Sequence, residues 1–376
     1  MTTAGFDVAI VGAGVVGAAC ALECARAGLR VIVLDRDPIG GGTTGAGMGH
    51  LVVMDDSEAQ FALTRFSCSL WNERGVELPP EVEYQKCGTI WVAADEVEMA
   101  EVHRKQDFYS SRGVAVEVLD YRQLAEAEPN LREGLVGGLL VRDDSVLYPP
   151  CATRFLIEKA QQQGAVLRLN STVASLGSHG PVLSDGSVVS AGITVNAAGI
   201  SSPQLVAGIE VQPRKGHLLI TDRYPGFLNH QVVELGYLKR AHSVTSDSVA
   251  FNVQPRKNGQ ILIGSSRQYG NREKGIDALL LRQMIRQATE YMPELKNLST
   301  IRAWTGFRPA TRDNLPFIGP HPNNENICLA TGHEGLGITT SLATAELLVD
   351  QLLKRPSKIP YEPYLPGRSG ERRADA

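Results

Sequence analysis

A glycine-rich turn near the beginning of the chain constrains its fold more than any other feature. The turn, Gly12-Ala13-Gly14-Val15-Val16-Gly17, follows the apolar run 8–11 and precedes a helical segment at 18–27. A second apolar run, 31–34, ends in Asp35. A strand, such a turn, a helix and a strand that ends in an acidic residue together make the unit that binds dinucleotides in α/β proteins.

The residues of this unit have separate physical roles. Gly12 permits the tight turn, Gly14 lets a pyrophosphate approach the backbone, and Gly17 lets the helix pack closely against the strand. The N-terminus of the helix directs unpaired N–H groups and a partial positive charge at the phosphates. Asp35 can accept hydrogen bonds from an adenosine ribose. The sequence therefore predicts dinucleotide binding. The alternative, a glycine turn at the surface, explains neither the flanking strands nor Asp35.

The composition of the chain excludes several classes of protein. With 376 residues, of which 43% are hydrophobic and 21% charged, the chain can form two domains with substantial cores. The net charge of −4 and the scattered basic residues argue against a nucleic-acid partner. No apolar run is long enough to cross a bilayer and no signal peptide precedes the turn. We therefore expect a cytoplasmic protein, with peripheral attachment to an inner membrane as an alternative. The cysteines lack metal-ligand spacing, so no metal site is expected.

The order of the predicted elements indicates a domain that is assembled from separated parts of the chain. A helix at 149–163 is followed by a buried strand at 193–195, and a β-rich stretch at 217–264 leads to an amphipathic helix at 277–292. A second glycine-rich turn precedes the final helix, 340–353. The two glycine-rich turns lie far apart in the sequence. We therefore expect that the beginning, middle and end of the chain form one dinucleotide-binding domain, which would bring both turns to the same ligand.

The sequence therefore predicts an α/β fold with two domains. The Rossmann-like dinucleotide-binding domain is predicted to comprise residues 1–80, 142–212 and 305–364. The second domain, α+β in character, is predicted to comprise residues 81–141 and 213–304 and to carry a mixed or antiparallel β-sheet backed by helices. Residues 365–376 are rich in charge and are predicted to form a disordered tail.

Further motifs resemble those of one protein family. They are Asp35-Arg36, Gly41 to Met48, Asn196-Ala197-Ala198-Gly199, Trp304 to Asp313, Pro316 to Gly319 and Thr331-Gly332-His333. Together they resemble the FAD-dependent D-amino-acid oxidase superfamily, in its branch of glycine oxidases, sarcosine oxidases and D-amino-acid dehydrogenases. The resemblance covers residues 5–355. Within that branch, the segment Gly47 to Ser57 is similar to bacterial 4-hydroxy-D-proline dehydrogenases.

The resemblance implies that FAD lies in extended form across the first domain. The residues expected at its pyrophosphate are Gly12, Gly14, Val15, Val16 and Gly17. Asp35 is expected at the ribose, and Arg36 and Val173 at the adenine. The residues expected along the ribityl chain and flavin ring are Gly42, Thr43, Thr44, Ala46, Gly47 and Met48, with a close backbone approach at Gly199. Those expected at the pyrimidine edge of the flavin are Gly332, His333, Gly335, Gly337 and Ile338, where a helix N-terminus would stabilise the negative charge of reduced flavin.

The resemblance also implies how a substrate is held. Transfer of the α-hydrogen of an amino acid to flavin N5 as hydride requires a fixed carboxylate, and a bidentate arginine is suited to this task. Arg308 matches the family's carboxylate-binding arginine, with a structural role in the turn before Pro309 as the alternative. Many members carry an arginine where this chain has Gly335. Arg267 could replace that arginine or pair with a surface acid.

Two further residues are candidates for the substrate pocket. His50 could line the pocket or help to neutralise the substrate amine, and a packed loop histidine is the alternative. Asn252 lies on a strand where relatives place pocket side chains and could contact a ring hydroxyl, unless it faces solvent. Lys215-Gly216, by contrast, is interpreted as structural.

The activity implied by the resemblance is dehydrogenation of a small amino acid to an imine, with 4-hydroxy-D-proline as the favoured substrate. A quinone, an electron-transfer protein or oxygen would take up the electrons. Two alternatives are a glycine- or sarcosine-type oxidase and an FAD-carrying subunit of a hetero-oligomeric amino-acid or opine dehydrogenase with accessory subunits. An iron–sulfur centre would lie on another subunit, because this chain has no suitable cysteine cluster.

Overall fold

The computed structural model describes residues 5–236 and 247–368, which form two large β-sheets with helices packed on them. In spatial order, the six strands of the first sheet are β17 (Phe317–His321), β18 (Asn324–Thr331), β11 (Ala191–Asn196), β1 (Phe6–Val11), β2 (Val31–Leu34) and β8 (Val166–Arg168). The outer pair, β17 and β18, is antiparallel, and the other pairs are parallel. This order places the glycine-rich turn, which follows β1, near the middle of the sheet.

Four long helices form the largest core with this sheet: α1 (Val15–Arg26), α2 (Glu58–Arg74), α5 (Pro149–Gln162) and α8 (Gly337–Leu352). Helix α1 packs against both α5 and α8, and α2 packs against α8. The buried face of α1 consists largely of small side chains, among them Ala18 and Ala21. Small side chains let the backbones of neighbouring elements approach closely. The glycine and alanine residues of α1 therefore allow this helix to pack between α5 and α8.

The second sheet has eight strands. In spatial order they are β16 (Thr300–Ala310), β12 (Gln212–Thr221), β15 (Ile261–Arg267), β14 (Ser248–Pro255), β13 (Gln231–Glu234), β4 (Thr89–Ala93), β6 (Gly137–Val141) and β5 (Val116–Asp120). Strands β13 and β4 run parallel, and the other neighbours are antiparallel. Helix α7 (Ala278–Tyr291) packs on β14 and β15 through the stripe Leu280, Met284 and Ala288. The predicted fold class, including the mixed sheet backed by a helix, is confirmed.

The described chain has further α-helices and β-strands. They are β3 (His50–Leu51), α3 (Glu96–Ser110), α4 (Tyr121–Ala127), β7 (Ser145–Val146), β9 (Val173–Gly177), β10 (Gly180–Leu183) and α6 (Ser202–Leu205). Strand β3 pairs with β7, and β9 pairs with β10. The β3–β7 pair matters for the site because it fixes the backbone of His50 opposite Val146.

Two of the predicted limits differ from the structure. The limit between residues 304 and 305 falls inside β16, which pairs with β12 along its whole length because both strands belong to the second sheet. The predicted tail begins too early, since Arg368 donates hydrogen bonds to Asp313 and to the carbonyl of Leu315. These bonds order the chain up to residue 368, and the remainder of the predicted tail, 369–376, lies outside the described residues. The other domain limits stay predictions.

Candidate active site

A cavity of about 950 Å³ lies where the first sheet's glycine-rich turns meet one face of the second sheet. Its walls come from the turn after β1, the end of β2, the loop 41–48 and the turn before α8. Strands β12, β14, β15 and β16 close the remaining side. Residues from the beginning, middle and end of the chain therefore border a single volume.

The glycine-rich turn leaves bare backbone at the wall of this cavity. Gly12 has φ +118°, and a Cβ there would lie 2.5 Å from the carbonyl oxygen of Ala197. A Cβ at Gly17 would lie 1.9 Å from the carbonyl oxygen of Gly12, so this position permits the close packing of α1. Gly14 directly precedes α1 and lines the cavity. Thr44 Oγ1 accepts a hydrogen bond from the backbone N–H of Val15, the first residue of α1, at 3.1 Å. Gly12 and Gly14 carry no side chain, so an anionic group such as a pyrophosphate can approach the other N–H groups of this helix N-terminus.

Asp35 lies at the end of β2, at the cavity wall. Its carboxylate accepts hydrogen bonds from the backbone N–H groups of Ala13 at 2.6 Å and Asp37 at 2.9 Å. A carboxylate has about four acceptor sites, so Asp35 can accept further hydrogen bonds from a ligand. Arg36 is exposed, and its Nη2 lies 3.4 Å from Ser201 Oγ. These side chains give this part of the cavity polar groups suited to a nucleoside.

Hydrogen bonds hold the loop 41–48 against the second sheet. Thr43 Oγ1 donates to the carbonyl oxygen of Phe307 at 2.7 Å, and Trp304 Nε1 donates to that of Ala46 at 3.2 Å. Gly306 is required for this contact, because a Cβ there would lie 2.5 Å from the Cβ of Ala46. The loop and the sheet thus form one continuous wall.

The turn before α8 supplies a further part of the wall. His333 is buried, and its Nε2 lies 3.0 Å from Thr344 Oγ1. Burial lowers the pKa of His333 to about 3, so the ring is neutral and packs as part of the turn. Gly332 is not among the residues that line the cavity, and its predicted contact with the flavin edge stays a prediction. Its φ of +83° serves the turn, and a Cβ there would lie 2.5 Å from Thr311 Cγ2.

Arg308 projects from β16 into the cavity wall. Its Nη1 donates to the carbonyl oxygen of Ser266 at 3.0 Å. Its guanidinium group lies over Gly216, where a Cβ would be 2.7 to 2.9 Å from three guanidinium atoms. Gly216 lines the cavity, and its missing side chain makes room for Arg308, whereas Lys215 does not line the cavity.

A buried carboxylate, Glu334, lies beside Arg308. Glu334 Oε1 is 3.1 Å from Arg214 Nη1 and 3.7 Å from Arg267 Nε. Burial raises the pKa of Glu334, but the positive charges of Arg267, Arg308 and Arg214 outweigh this effect and hold the pKa at about 2. Arg267 therefore pairs with a buried acid at the cavity, and the alternative of a surface acid is wrong.

A chain of contacts links α7 to Arg308. His217 is fully buried, and its Nε2 accepts a hydrogen bond from the backbone N–H of Asp277 at 3.0 Å. Its Nδ1 must then carry the proton, which it donates to Ser266 Oγ at 2.9 Å. Burial, and then the charge of Lys215, lowers the pKa of His217, which keeps the ring neutral. His217 thereby fixes Ser266, whose carbonyl oxygen binds the guanidinium of Arg308.

His50 and Asn252 also line the cavity. The carbonyl oxygen of His50 accepts a hydrogen bond from Thr339 Oγ1 at 2.9 Å, while its Nδ1 has no hydrogen-bond partner among the described residues. Burial, and then the charge of Arg308, lowers the pKa of His50 to about 4. Asn252 is 6% exposed, and its Oδ1 lacks a hydrogen-bond partner within the described ranges. Its burial at the cavity excludes the alternative of an asparagine that faces solvent.

Comparison with known proteins identifies the family. The sequence matches a protein family described as "FAD dependent oxidoreductase" over residues 7–351. This chain belongs to that family. A glycine oxidase of Geobacillus kaustophilus is 26% identical over 374 residues, which cover 96% of each chain. The hydrogen cyanide synthase subunit HcnC of Pseudomonas aeruginosa is 27% identical over 419 residues, with 96% of each chain covered.

Solved structures share the fold of this oxidoreductase. The crystal structure of the glycine oxidase from Geobacillus kaustophilus matches with a TM-score of 0.86 and 25% identity, over 96% of this chain and 98% of the other. An L-proline dehydrogenase from P. horikoshii also matches with a TM-score of 0.86, at 23% identity, over 97% of this chain and 98% of the other. The second likeness concerns the fold alone.

The cofactor of this FAD-dependent oxidoreductase fits the cavity. Bare backbone at Gly12 and Gly14 faces the volume, and the acceptor groups of Asp35 border it. The predicted cofactor-contacting residues that line the cavity are Gly12, Gly14, Val15, Val16, Asp35, Arg36, Gly42, Thr43, Thr44, Ala46, Gly47, Met48, Val173, Gly199, His333, Gly335, Gly337 and Ile338. Gly17 and Gly332 do not line it. The contacts of the individual residues with FAD stay predictions.

No helix in the described ranges is long and apolar enough to cross a membrane.

Sequence reasoning missed several residues that the structure brings to Arg308. They are Arg214, Gly216, His217, Ser266 and Glu334. One signal was available: positions 214, 216 and 218 alternate along β12, which begins at Gln212, before the predicted β-rich stretch, and all three line the cavity. The alternation could have shown that Gly216 shares a face with Arg214.

Proposed function

We propose that this oxidoreductase removes a hydride from the α-carbon of a small amino acid to give an imine. The proposed substrate is 4-hydroxy-D-proline, and the product is the corresponding pyrroline carboxylate. The observation that carries the proposal is Arg308, a cavity-lining guanidinium held by the carbonyl of Ser266 above Gly216. A planar guanidinium binds a carboxylate through two parallel hydrogen bonds, which fixes the orientation of the α-carbon.

The relatives support an amino acid as the substrate class. Glycine oxidases of several bacteria align with this chain over nearly its whole length. The narrower choice of 4-hydroxy-D-proline is supported by the resemblance of residues 47–57 and by Asn252. The unpartnered Oδ1 of Asn252 can accept a hydrogen bond from a hydroxyl group on the substrate ring.

The chemistry needs a neutral substrate amine, and the protein's charges favour one. FAD, when bound, accepts the hydride. Arg308 holds the carboxylate, and its positive charge, with those of Arg214 and Arg267, disfavours a nearby ammonium group. Burial, and then the charge of Arg308, lowers the pKa of His50 and keeps the ring neutral, so its ring can accept a hydrogen bond from the amine without adding charge. The residues thus orient the substrate and lower the pKa of its amine.

Two other functions remain candidates on specific grounds. The similarity to glycine oxidases favours a glycine- or sarcosine-type oxidase that passes electrons to oxygen. The similarity to HcnC, a protein named as a subunit of hydrogen cyanide synthase, favours an FAD-carrying subunit with accessory partners. In the first case oxygen is the electron acceptor, and in the second a quinone or an electron-transfer protein takes that role.

An anaerobic reduction experiment tests the proposal. The purified holoenzyme is mixed without oxygen with both enantiomers of proline and 4-hydroxyproline, and with glycine, sarcosine and D-alanine. Rapid loss of the visible flavin absorbance with 4-hydroxy-D-proline is expected. Reduction by glycine or sarcosine alone would favour a substrate of the glycine- or sarcosine-oxidase type instead. No reduction by any of them, with FAD bound, would favour the subunit function. Admission of air to the reduced enzyme then separates an oxidase from a dehydrogenase.

A further inference from the structure

Three arginine side chains converge on Glu334 at the cavity wall formed by the second sheet. Arg214 and Arg267 lie 3.1 Å and 3.7 Å from the same oxygen, Glu334 Oε1. Arg308 is the direct cross-strand partner of Arg214 in the pairing of β12 with β16, so both side chains leave the same face of the sheet. Three positive charges from three strands therefore act on one buried carboxylate.

The backbone of β15 brings Arg267 next to Arg308. Arg308 binds the carbonyl oxygen of Ser266, the residue that immediately precedes Arg267. Gly216 lies on the strand between these two arginines and leaves space for the guanidinium of Arg308. Both arginines line the cavity, and the side chain of Arg267 is only 11% exposed. Two guanidinium groups from different strands thus border one volume.

The charges of this cluster favour an anionic ligand. Burial of a guanidinium group is costly unless negative charge accompanies it. Ionised Glu334 supplies one negative charge to the three arginines. The carboxylate of a bound substrate would add a second negative charge at the cavity side, where Arg267 and Arg308 both reach.

We propose that Arg267 is a second carboxylate-binding residue, which holds the carboxylate of the substrate jointly with Arg308. The inference rests on the proposed function, since it requires an amino acid in this part of the cavity. One arginine fixes the position of a carboxylate, and a second from another strand also fixes its plane, which aligns the Cα–H bond for transfer. Glu334 is a positioning residue that holds Arg267 through their ion pair.

The test compares an acid with its ester in the holoenzyme. Arg267→Gln is expected to lower kcat/KM by about 30-fold for the best amino acid of the panel, because a charge-assisted hydrogen bond is lost. For the methyl ester of that amino acid, which has no carboxylate charge, the fall should stay below about 3-fold. Arg282→Gln, on the exposed side of α7, is the matched control and should change neither value. A merely structural role of Arg267 would lower kcat/KM equally for the acid and the ester and would overturn the proposal.

A binding measurement separates this inference from the proposed function. Pyrrole-2-carboxylate, a planar carboxylate without a transferable α-hydrogen, is titrated into the oxidised holoenzyme while the flavin spectrum is recorded. Its Kd should rise by about 30-fold in Arg267→Gln and stay unchanged in Arg282→Gln. If the wild-type enzyme is reduced by no amino acid, the proposed function fails, and this titration still decides the role of Arg267. An unchanged Kd overturns the inference. Arg267→Lys, which keeps the charge without the planar fork, replaces Arg267→Gln if the latter loses FAD, with an expected effect of about 10-fold.

Discussion

The glycine-rich turn and the arginine cluster line the same cavity but are built in different ways. At the turn, the wall is backbone, and the hydrogen bond from Ala13 to Asp35 joins residues 22 positions apart. At the cluster, the wall is side chains, and the pair Arg214–Glu334 joins residues 120 positions apart. The turn tolerates little substitution because its backbone is tightly packed. The arginine cluster depends instead on the register of strands that are distant in sequence.

The largest effect is expected at the turn. Gly17→Ala places a Cβ 1.9 Å from the carbonyl oxygen of Gly12. Neither backbone can move without disturbing the β1–α1 unit, so we expect a loss of more than about 3 kcal/mol in the free energy of unfolding, together with loss of FAD. Denaturant unfolding and the visible absorbance per chain measure both. Gly367→Ala, where a Cβ meets only an ordinary contact at 3.9 Å, is the control. Retention of FAD by Gly17→Ala would show that the turn is less constrained than the cluster.

At the cluster, substitution should impair turnover while FAD stays bound. Arg308→Leu removes the proposed carboxylate clamp and is expected to lower kcat/KM by about a thousand-fold, the cost of losing one partner of a desolvated charge pair. FAD content should not change, because the turn that is predicted to bind the pyrophosphate is untouched. Steady-state kinetics beside a measurement of FAD content make this test. Unchanged kinetics would remove Arg308 from the substrate site.

The same contrast explains what could be predicted from the sequence. The strand–turn–helix unit at Gly12 and Asp35 follows from adjacent residues, and the structure has it where the motif placed it. Helix α3 was not predicted, because its pattern is mostly polar and one of its buried side chains is Lys105, paired with Asp55. The environment of Arg308 was not predictable either. It depends on which residues of β12 pair with β16 and which residues of β15 lie one strand further on, and strand register between distant segments is not encoded locally.

A glycine in the cluster tests whether this wall is as intolerant as the turn. Gly216→Ala places a Cβ 2.7 to 2.9 Å from the guanidinium of Arg308. A side chain is more easily displaced than backbone, so we expect a stable, FAD-bound protein with kcat/KM lowered by about 30-fold through misplacement of the clamp. Kinetics on the acid and its methyl ester should show a larger loss for the acid. A loss of FAD comparable to that in Gly17→Ala would contradict the difference between the two regions.

The smallest effect concerns the charge state of His50. Burial and Arg308 lower the pKa of His50 to about 4, whereas in an unfolded chain the residue has its ordinary pKa of 6.5. The unfolded state therefore binds more protons between these values, so the free energy of unfolding should fall as the pH decreases from about 6.5 towards 4. Between pH 7 and pH 5, the free energy of unfolding of His50→Asn should therefore fall by about 1 kcal/mol less than that of the wild type. This figure allows for partial exposure of the ring.

Urea unfolding of both proteins at the two pH values measures this difference. The profile of log kcat/KM against pH supplies the second readout. A neutral His50 contributes no acidic limb near pH 6.5, so the wild-type and His50→Asn profiles should have the same shape between pH 6 and pH 8. A limb near pH 6.5 that is present only in the wild type would mean that His50 titrates normally. The arginine cluster would then not control protonation in the cavity, and its main contribution would be to bind the carboxylate.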